Sequence, residues 1–216
     1  FINNLDFGQI KKLNQFKDLN NSLFIIISKS GNTVEVLSII DSLKNKAKFN
    51  KHNALVITDN KKSNLSTFAK KFEIKIIFHR QYIGGRYSIF SETSLVPCYL
   101  MGINIFRLRK NILSFLNKKK SLIIENLINL SKIYNSKKIN SIVLLSYCQG
   151  LEHFLLWCQQ LIAESLGKKN KGFLPMISKA PKDYHSLLQL YLDGPKDKMF
   201  DILSFEKKFK VKINVN

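Results

Sequence analysis

Four short stretches of this 216-residue chain carry side chains whose types and spacing suit chemistry. In Ser28-Lys29-Ser30-Gly31-Asn32-Thr33, the hydroxyls at 28, 30 and 33 can donate to an anion, Lys29 adds positive charge and Gly31 admits close backbone approach. The stretch leaves an apolar strand and opens a helix, so unpaired backbone N–H groups and the positive end of the helix dipole favour phosphate there. The GxxxxGK[ST] spacing of a nucleotide loop is absent, and an ordinary polar cap using one Ser or Thr is the alternative reading. Next, Gly84-Gly85-Arg86-Tyr87-Ser88 places a permanently charged guanidinium after two permissive glycines, a tight turn able to aim Arg86 at a bound anion. An incidental surface Arg is the alternative. Gln160 and Glu164, four residues apart, share one face of a helix. Glu164 lies in its last turn, where the negative end of the dipole opposes a carboxylate charge, a setting that suits a proton acceptor; a solvated helix-end Glu is the plain alternative. Finally, Pro181 to Gln189 contains His185, where a lone histidine could be structural or could transfer protons.

Positioning these groups falls to alternating strands and helices. Leu23–Ile27 is a continuous apolar run rich in β-branched residues, the pattern of a buried parallel strand. Apolar residues at 36, 37, 39, 40 and 43 form a helical stripe over 33–43. Ala54–Thr58 reads as a strand ending at the turn Asp59-Asn60, Ser66–Phe72 as a helix and Lys75–Phe78 as a strand. From Leu95 to about Lys138 the pattern is helical, with two stripes between Asn111 and Tyr134 broken at Asn117–Ser121. Ser141–Leu145 is a further strand, followed by a helix over Leu151–Leu166 with Gly167 suited to its C′ position. Phe173–Ile177 reads as a strand, Tyr184–Leu192 as a helix stopped by Asp193-Gly194-Pro195, and Met199–Leu203 and Lys210–Val215 as strands. The expected fold is α/β, in two modules that each hold a mostly parallel sheet flanked by helices: 1–108, a helical connector over 109–138, and 139–216.

Composition narrows the partners. The net charge is +20, yet Arg occurs only at 80, 86, 107 and 109, and the Lys residues are spread along the chain alongside frequent Asn and Ile. Nucleic-acid sites use clustered Arg interleaved with exposed aromatics, so nucleic acid is not the expected main partner. The longest apolar runs, such as Leu23–Ile27 and Ile142–Leu145, are too short to span a bilayer. Cys98, Cys148 and Cys158 show no CxxC spacing, so neither zinc nor a disulfide framework is expected, and three small buried side chains in a reducing cytoplasm fit best.

Ser28 to Glu35 resembles the SK[ST]xxTxE phosphate segment of sugar-isomerase (SIS) domains. Gly84 to Ser88 resembles the GGR[FY]S signature of the glucose-6-phosphate isomerase family, and Gln160 to Lys168 its QxxxESxGK segment in the compact bacterial and archaeal branch. Asp183 to Gln189 resembles its DxHSxxQ segment. The four matches follow the family's order. They imply two SIS-type modules and reversible isomerisation of glucose 6-phosphate and fructose 6-phosphate through a cis-enediol, with no metal or cofactor. On that resemblance Ser28, Lys29, Ser30 and Thr33 hold the phosphate, Glu164 is the general base with Gln160 one turn earlier, and Arg86 stabilises the negative oxygen. His185 assists ring opening and is usually contributed to a neighbouring subunit's site, which implies a homodimer. His52, His79 and His153 match nothing, and His153 and Trp157 are expected to pack. The resemblance further implies a strand with a Gly-rich loop before Phe1 and a Lys-bearing helix after Asn216, so truncation at both ends is expected. A non-catalytic SIS-domain sugar-phosphate regulator is the alternative, since it needs the 28–33 loop but not Arg86, Glu164 and His185 together.

Overall fold

In the computed structural model, which describes residue 2, residues 4–16 and residues 19–205, the chain forms two units, Phe1–Ile112 and Leu113–Asn216. The first contains α1 (Phe7–Gln15), β1 (Phe24–Ile27), α2 (Val34–Ala47), β2 (Ala54–Asp59), α3 (Asn64–Lys71), β3 (Lys75–His79), α4 (Glu92–Leu100) and α5 (Ile105–Arg109). Its sheet runs in the order β1-β2-β3, all parallel, with Phe24 opposite Ala54 and Leu55 opposite Lys75. Both crossovers step the same way along the sheet, so right-handed connections place α2 and α3 on one face. There Ile26 and Val56 pack against Ile40, Leu43 and Ala47 of α2 and Leu65 and Ala69 of α3. Phe24, Phe49, Phe68 and Phe72 extend this core as a chain of rings, with successive centroids 5.0, 5.6 and 4.9 Å apart.

The first helix went unread in the sequence, although its signal is local. The N-cap Asp6 accepts from the backbone N–H of Gln9 at 2.7 Å, and apolar residues recur at 7, 10 and 13. A capping box starts α3, with Ser63 and Ser66 exchanging side-chain and backbone bonds at 3.2 and 2.8 Å.

In the second unit come α6 (Ile112–Lys118), α7 (Lys120–Asn135), β4 (Ser141–Ser146), α8 (Glu152–Leu166), β5 (Leu174–Lys179), α9 (Tyr184–Asp193) and β6 (Lys198–Leu203). The break expected at 117–121 narrows to Lys119, between α6 and α7. The parallel sheet has the order β5-β4-β6, with β4 central and buried throughout. Its connections go out and come back, so α8 and α9 cover opposite faces. Leu155 of α8 packs on Ile142 and Leu144, whereas Tyr191 of α9 meets Phe200 edge to face at 5.0 Å. The strand expected over 210–215 lies outside the described residues. Among the described residues, no helix is long and apolar enough to cross a membrane.

Candidate active site

Parallel sheets gather ligand-binding loops at the carboxyl ends of their strands. In the first unit β1 ends at Ile27 and runs into Ser28–Thr33, β2 ends at Asp59, and β3 ends at His79 ahead of the Arg86 turn. The 28–33 loop is moulded onto the β2–α3 connection. Its Lys29 carbonyl accepts from the Asp59 N–H at 3.1 Å, the Gly31 carbonyl from Leu65 N–H at 2.9 Å, and the Asn32 side chain from Asn64 N–H at 3.0 Å. Gly31 adopts φ +67°, and a Cβ there would overlap the Ser63 hydroxyl and come within 2.7 Å of Ser63 Cβ. The glycine is therefore required twice over, by backbone conformation and by contact.

The three hydroxyls of this loop are not equivalent. Ser28 is buried; its Oγ accepts from the Gly31 N–H at 3.1 Å and lies 2.7 Å from Thr33 Oγ1. Ser30 Oγ, exposed, accepts from the Asn32 N–H at 3.1 Å. Thr33 occupies the N-cap of α2 without a side-chain bond to the helix's first N–H groups. Between Ser28 and Thr33 one hydroxyl proton joins the two oxygens, which leaves the other for an outside acceptor. Ser28 is thus a brace within the loop, while Ser30, Thr33 and the start of α2 face outward.

Lys29 departs from a simple phosphate contact. Its ammonium donates to the carbonyls of Ile83 at 2.6 Å and Gln81 at 3.2 Å, tying the 28–33 loop to the segment that leads into Arg86. Arg86 itself lies in a 3-10 turn, Gly85–Phe90, with its guanidinium 4.6 Å from the centre of the Tyr87 ring. The two glycines before it are not used for left-handed backbone: Gly84 has φ −64°, and a Cβ there would meet the Tyr87 ring at 3.1 Å. The turn is laced by hydroxyls instead, Ser88 Oγ donating to Gly85 O at 2.6 Å, with Ser91 and Thr93 donating to Ser88 O at 2.7 and 3.0 Å. At the same strand ends, Asp59 is buried with Oδ2 3.6 Å from Lys61 Nζ, and its Oδ1 has no hydrogen-bond partner.

In the second unit Gln160 Nε2 donates to Glu164 Oε1 at 2.9 Å, as their shared helical face allows. Gly167 closes α8 at φ −73°, not in the left-handed form, and donates to Ala163 O at 2.9 Å. A Cβ at 167 would approach that carbonyl oxygen to 2.5 Å, so close packing explains the glycine. His185 opens α9, beside Tyr184, whose hydroxyl bonds that of Tyr147. That bond raises the Tyr184 phenol above its ordinary range. Because α8 runs back from β4 toward the start of β5, Glu164 lies by the amino end of β5 and His185 beyond its carboxyl end. Six residues of strand separate those edges by roughly 17 Å. The two do not converge within one unit. His153, expected to pack, is exposed on α8, while Trp157 is half-buried and packs against Phe154 with ring centroids 5.9 Å apart.

Residues 1–176 match the Phosphoglucose isomerase family. The chain belongs to the phosphoglucose isomerase family. Within the phosphoglucose isomerase family, it is 34% identical over 214 residues to the glucose-6-phosphate isomerase of Methanocaldococcus jannaschii, covering 96% of this chain and 53% of that protein. It is 36% identical over 218 residues to that of Campylobacter jejuni, covering 94% and 52%. The chain spans about half the length of the curated relatives it matches. A hypothetical protein from Thermus thermophilus superposes with a TM-score of 0.80 at 26% identity, over 93% of this chain and 51% of that one. A glucose-6-phosphate isomerase from Chlamydia trachomatis shares the fold, with a TM-score of 0.64 at 20% identity, over 91% of this chain and 42% of that one.

All four candidate stretches were legible only as local motifs, and the structure adds residues that no motif carried. His79, Glu92 and Asp59 gather at the strand ends of the first unit. The sequence pattern ends that strand at Phe78 and begins the helical stretch at Leu95, so it places neither His79 nor Glu92 on an element, and nothing in it shows that they meet.

Proposed function

We propose that this chain is part of a glucose-6-phosphate isomerase, interconverting glucose 6-phosphate and fructose 6-phosphate through a cis-enediol. The observation that carries the reading is the Lys29 bridge, which joins the outward-facing phosphate loop to the turn bearing Arg86. A protein that only senses a sugar phosphate has no need of that second anchored cation. Ser30, Thr33 and the start of α2 hold the phosphate, with Ser28 and Lys29 keeping the loop in shape. The Glu164 carboxylate, hydrogen-bonded by Gln160, takes the C2 proton of the open-chain aldose and returns it to C1. Arg86 stabilises the oxygen that becomes negative between those steps, and His185 moves a proton as the ring opens. Each step is a proton transfer and the substrate oxidises and reduces itself internally, so the scheme calls for no metal or cofactor. Fixing the phosphate converts remote binding energy into placement of the reacting carbons.

The opposite placement of Glu164 and His185 on one sheet supports a homodimer in which His185 serves the other copy's site. The segment 109–138, which includes α5's end, α6 and α7, is proposed as the connector between an SIS module at 1–108 and another at 139–216. Three free cysteines favour a reducing cytoplasm. The test is conversion of glucose 6-phosphate by the complete gene product in deuterated solvent. Fructose 6-phosphate should form with solvent deuterium at C1, and recovered glucose 6-phosphate should carry deuterium at C2. Tight binding of the sugar phosphate without conversion would favour the non-catalytic regulator instead.

A further inference from the structure

We propose that His79 and Glu92 are positioning residues for Arg86, a buried strut that spans the two feet of the turn carrying it; the role in catalysis rests on the isomerase reading above. His79 is the last residue of β3, and its side chain is 0% exposed. One ring nitrogen, Nε2, is 3.2 Å from the carbonyl oxygen of Ile83, three residues before Arg86. The other, Nδ1, is 3.2 Å from Glu92 Oε2, six residues after Arg86 at the start of α4. A single rigid ring therefore links both ends of the turn, and the second carboxylate oxygen of Glu92 reaches back to Arg80 Nε at 3.7 Å.

Hydrogen-bond inventory makes the pair interdependent. The Ile83 carbonyl can only accept, and an ionised Glu92 can only accept, whereas a neutral imidazole has one N–H to give. Both contacts are made when the ring donates from both nitrogens, or when Glu92 carries the second proton. An apolar ring at 79 removes one bond from each acceptor, leaving Ile83 O with Lys29 alone and Glu92 with the 3.7 Å contact to Arg80.

The strut also meets the phosphate loop at one atom. Ile83 O receives the Lys29 ammonium at 2.6 Å as well as the His79 ring, so the phosphate anchor and the turn of Arg86 are registered through it. Ser91 and Thr93, flanking Glu92, grip Ser88 O from the other side. Glu92 is thereby held where it can fix His79. Displacing a reacting or stabilising group by about an ångström can lower turnover by roughly two orders of magnitude without loss of substrate affinity.

The experiment compares His79→Phe, Glu92→Leu and Glu92→Gln in the complete gene product. Steady-state kinetics with glucose 6-phosphate are read together with amide hydrogen exchange over residues 80–91. In His79→Phe and Glu92→Leu, kcat should fall about tenfold or more while KM stays within about threefold, and exchange over 80–91 should accelerate with β1 and β2 unaffected. Glu92→Gln should keep kcat within about threefold, because its amide can donate to Nδ1 while Nε2–H still donates to Ile83. Parental kcat in His79→Phe overturns the proposal, as does faster exchange with parental kcat. Should the Phe and Leu variants fail to fold, a folded Glu92→Gln with lost kcat overturns it and one with retained kcat supports it. An inactive parental protein would overturn the isomerase reading itself; unchanged exchange over 80–91 would then overturn the strut independently.

Discussion

Glu164 concentrates the proposed chemistry in one carboxylate. Glu164→Gln keeps the shape and an oxygen to accept the Gln160 amide, whose bond is 2.9 Å. Calorimetric affinity for sugar phosphate should survive, while turnover drops by roughly 10²–10⁴ and C2 proton exchange disappears with it. Near-parental turnover together with persistent exchange would remove Glu164 as the base. The hydroxyls of the phosphate loop should separate by role. Thr33→Ala should weaken phosphate binding by about 1.5–3 kcal/mol with little change in Tm, whereas Ser28→Ala should also lower Tm, because buried Ser28 accepts the Gly31 N–H. Equal effects of both on Tm would contradict the division. Burial, with Asp201 nearby, pushes the Cys158 thiol up, so less thiolate exists at neutral pH and iodoacetamide should alkylate Cys158 more slowly than a free thiol. Residue types and spacing made Ser28, Ser30 and Thr33 candidates together; only their exposure and partners show which braces and which faces outward.

At the scale of elements, loops beyond the strands of the first unit carry the proposed phosphate and Arg86 groups, and Gly31 decides the shape of the first of them. Gly31 combines φ +67° with contact to Ser63, so Gly31→Ala should destabilise the protein by roughly 2–4 kcal/mol in denaturant titration and weaken phosphate binding as the loop shifts. A Tm within a degree or so of the parent would contradict this reading of the turn. The strands and most helices were legible because each has a local signature: apolar runs for β1, β2 and β4, and an i, i+3, i+4 stripe for α2. The glycines were legible as loop markers but not in their reasons. Gly84 and Gly167 read as sources of backbone freedom, yet the structure uses both for close approach, to the Tyr87 ring and to the Ala163 carbonyl. A glycine's need for space depends on neighbours that its own sequence context does not name.

For the whole molecule, the return of each helix along its sheet has a functional consequence. Because α8 returns to the amino end of β5 while α9 starts past its carboxyl end, Glu164 and His185 fall at opposite ends of one sheet. A shared site therefore predicts complementation: subunit exchange between Glu164→Gln and His185→Ala variants of the complete protein should restore part of the activity that each lacks. With exchange demonstrated by mixed-tag capture and no activity recovered, the shared-site arrangement is wrong.

By itself, the sequence determined the α/β alternation and the family motifs at Ser28, Arg86, Glu164 and His185, because apolar periodicity, turn residues and contiguous motifs act over a few residues. Tertiary structure decided which of those groups meet. Lys29 finds Ile83 across 54 positions and His79 finds Glu92 across 13, contacts fixed by strand order and by where each loop leaves the sheet. Such meetings follow from pairing between distant segments, and no local pattern in the chain encodes them.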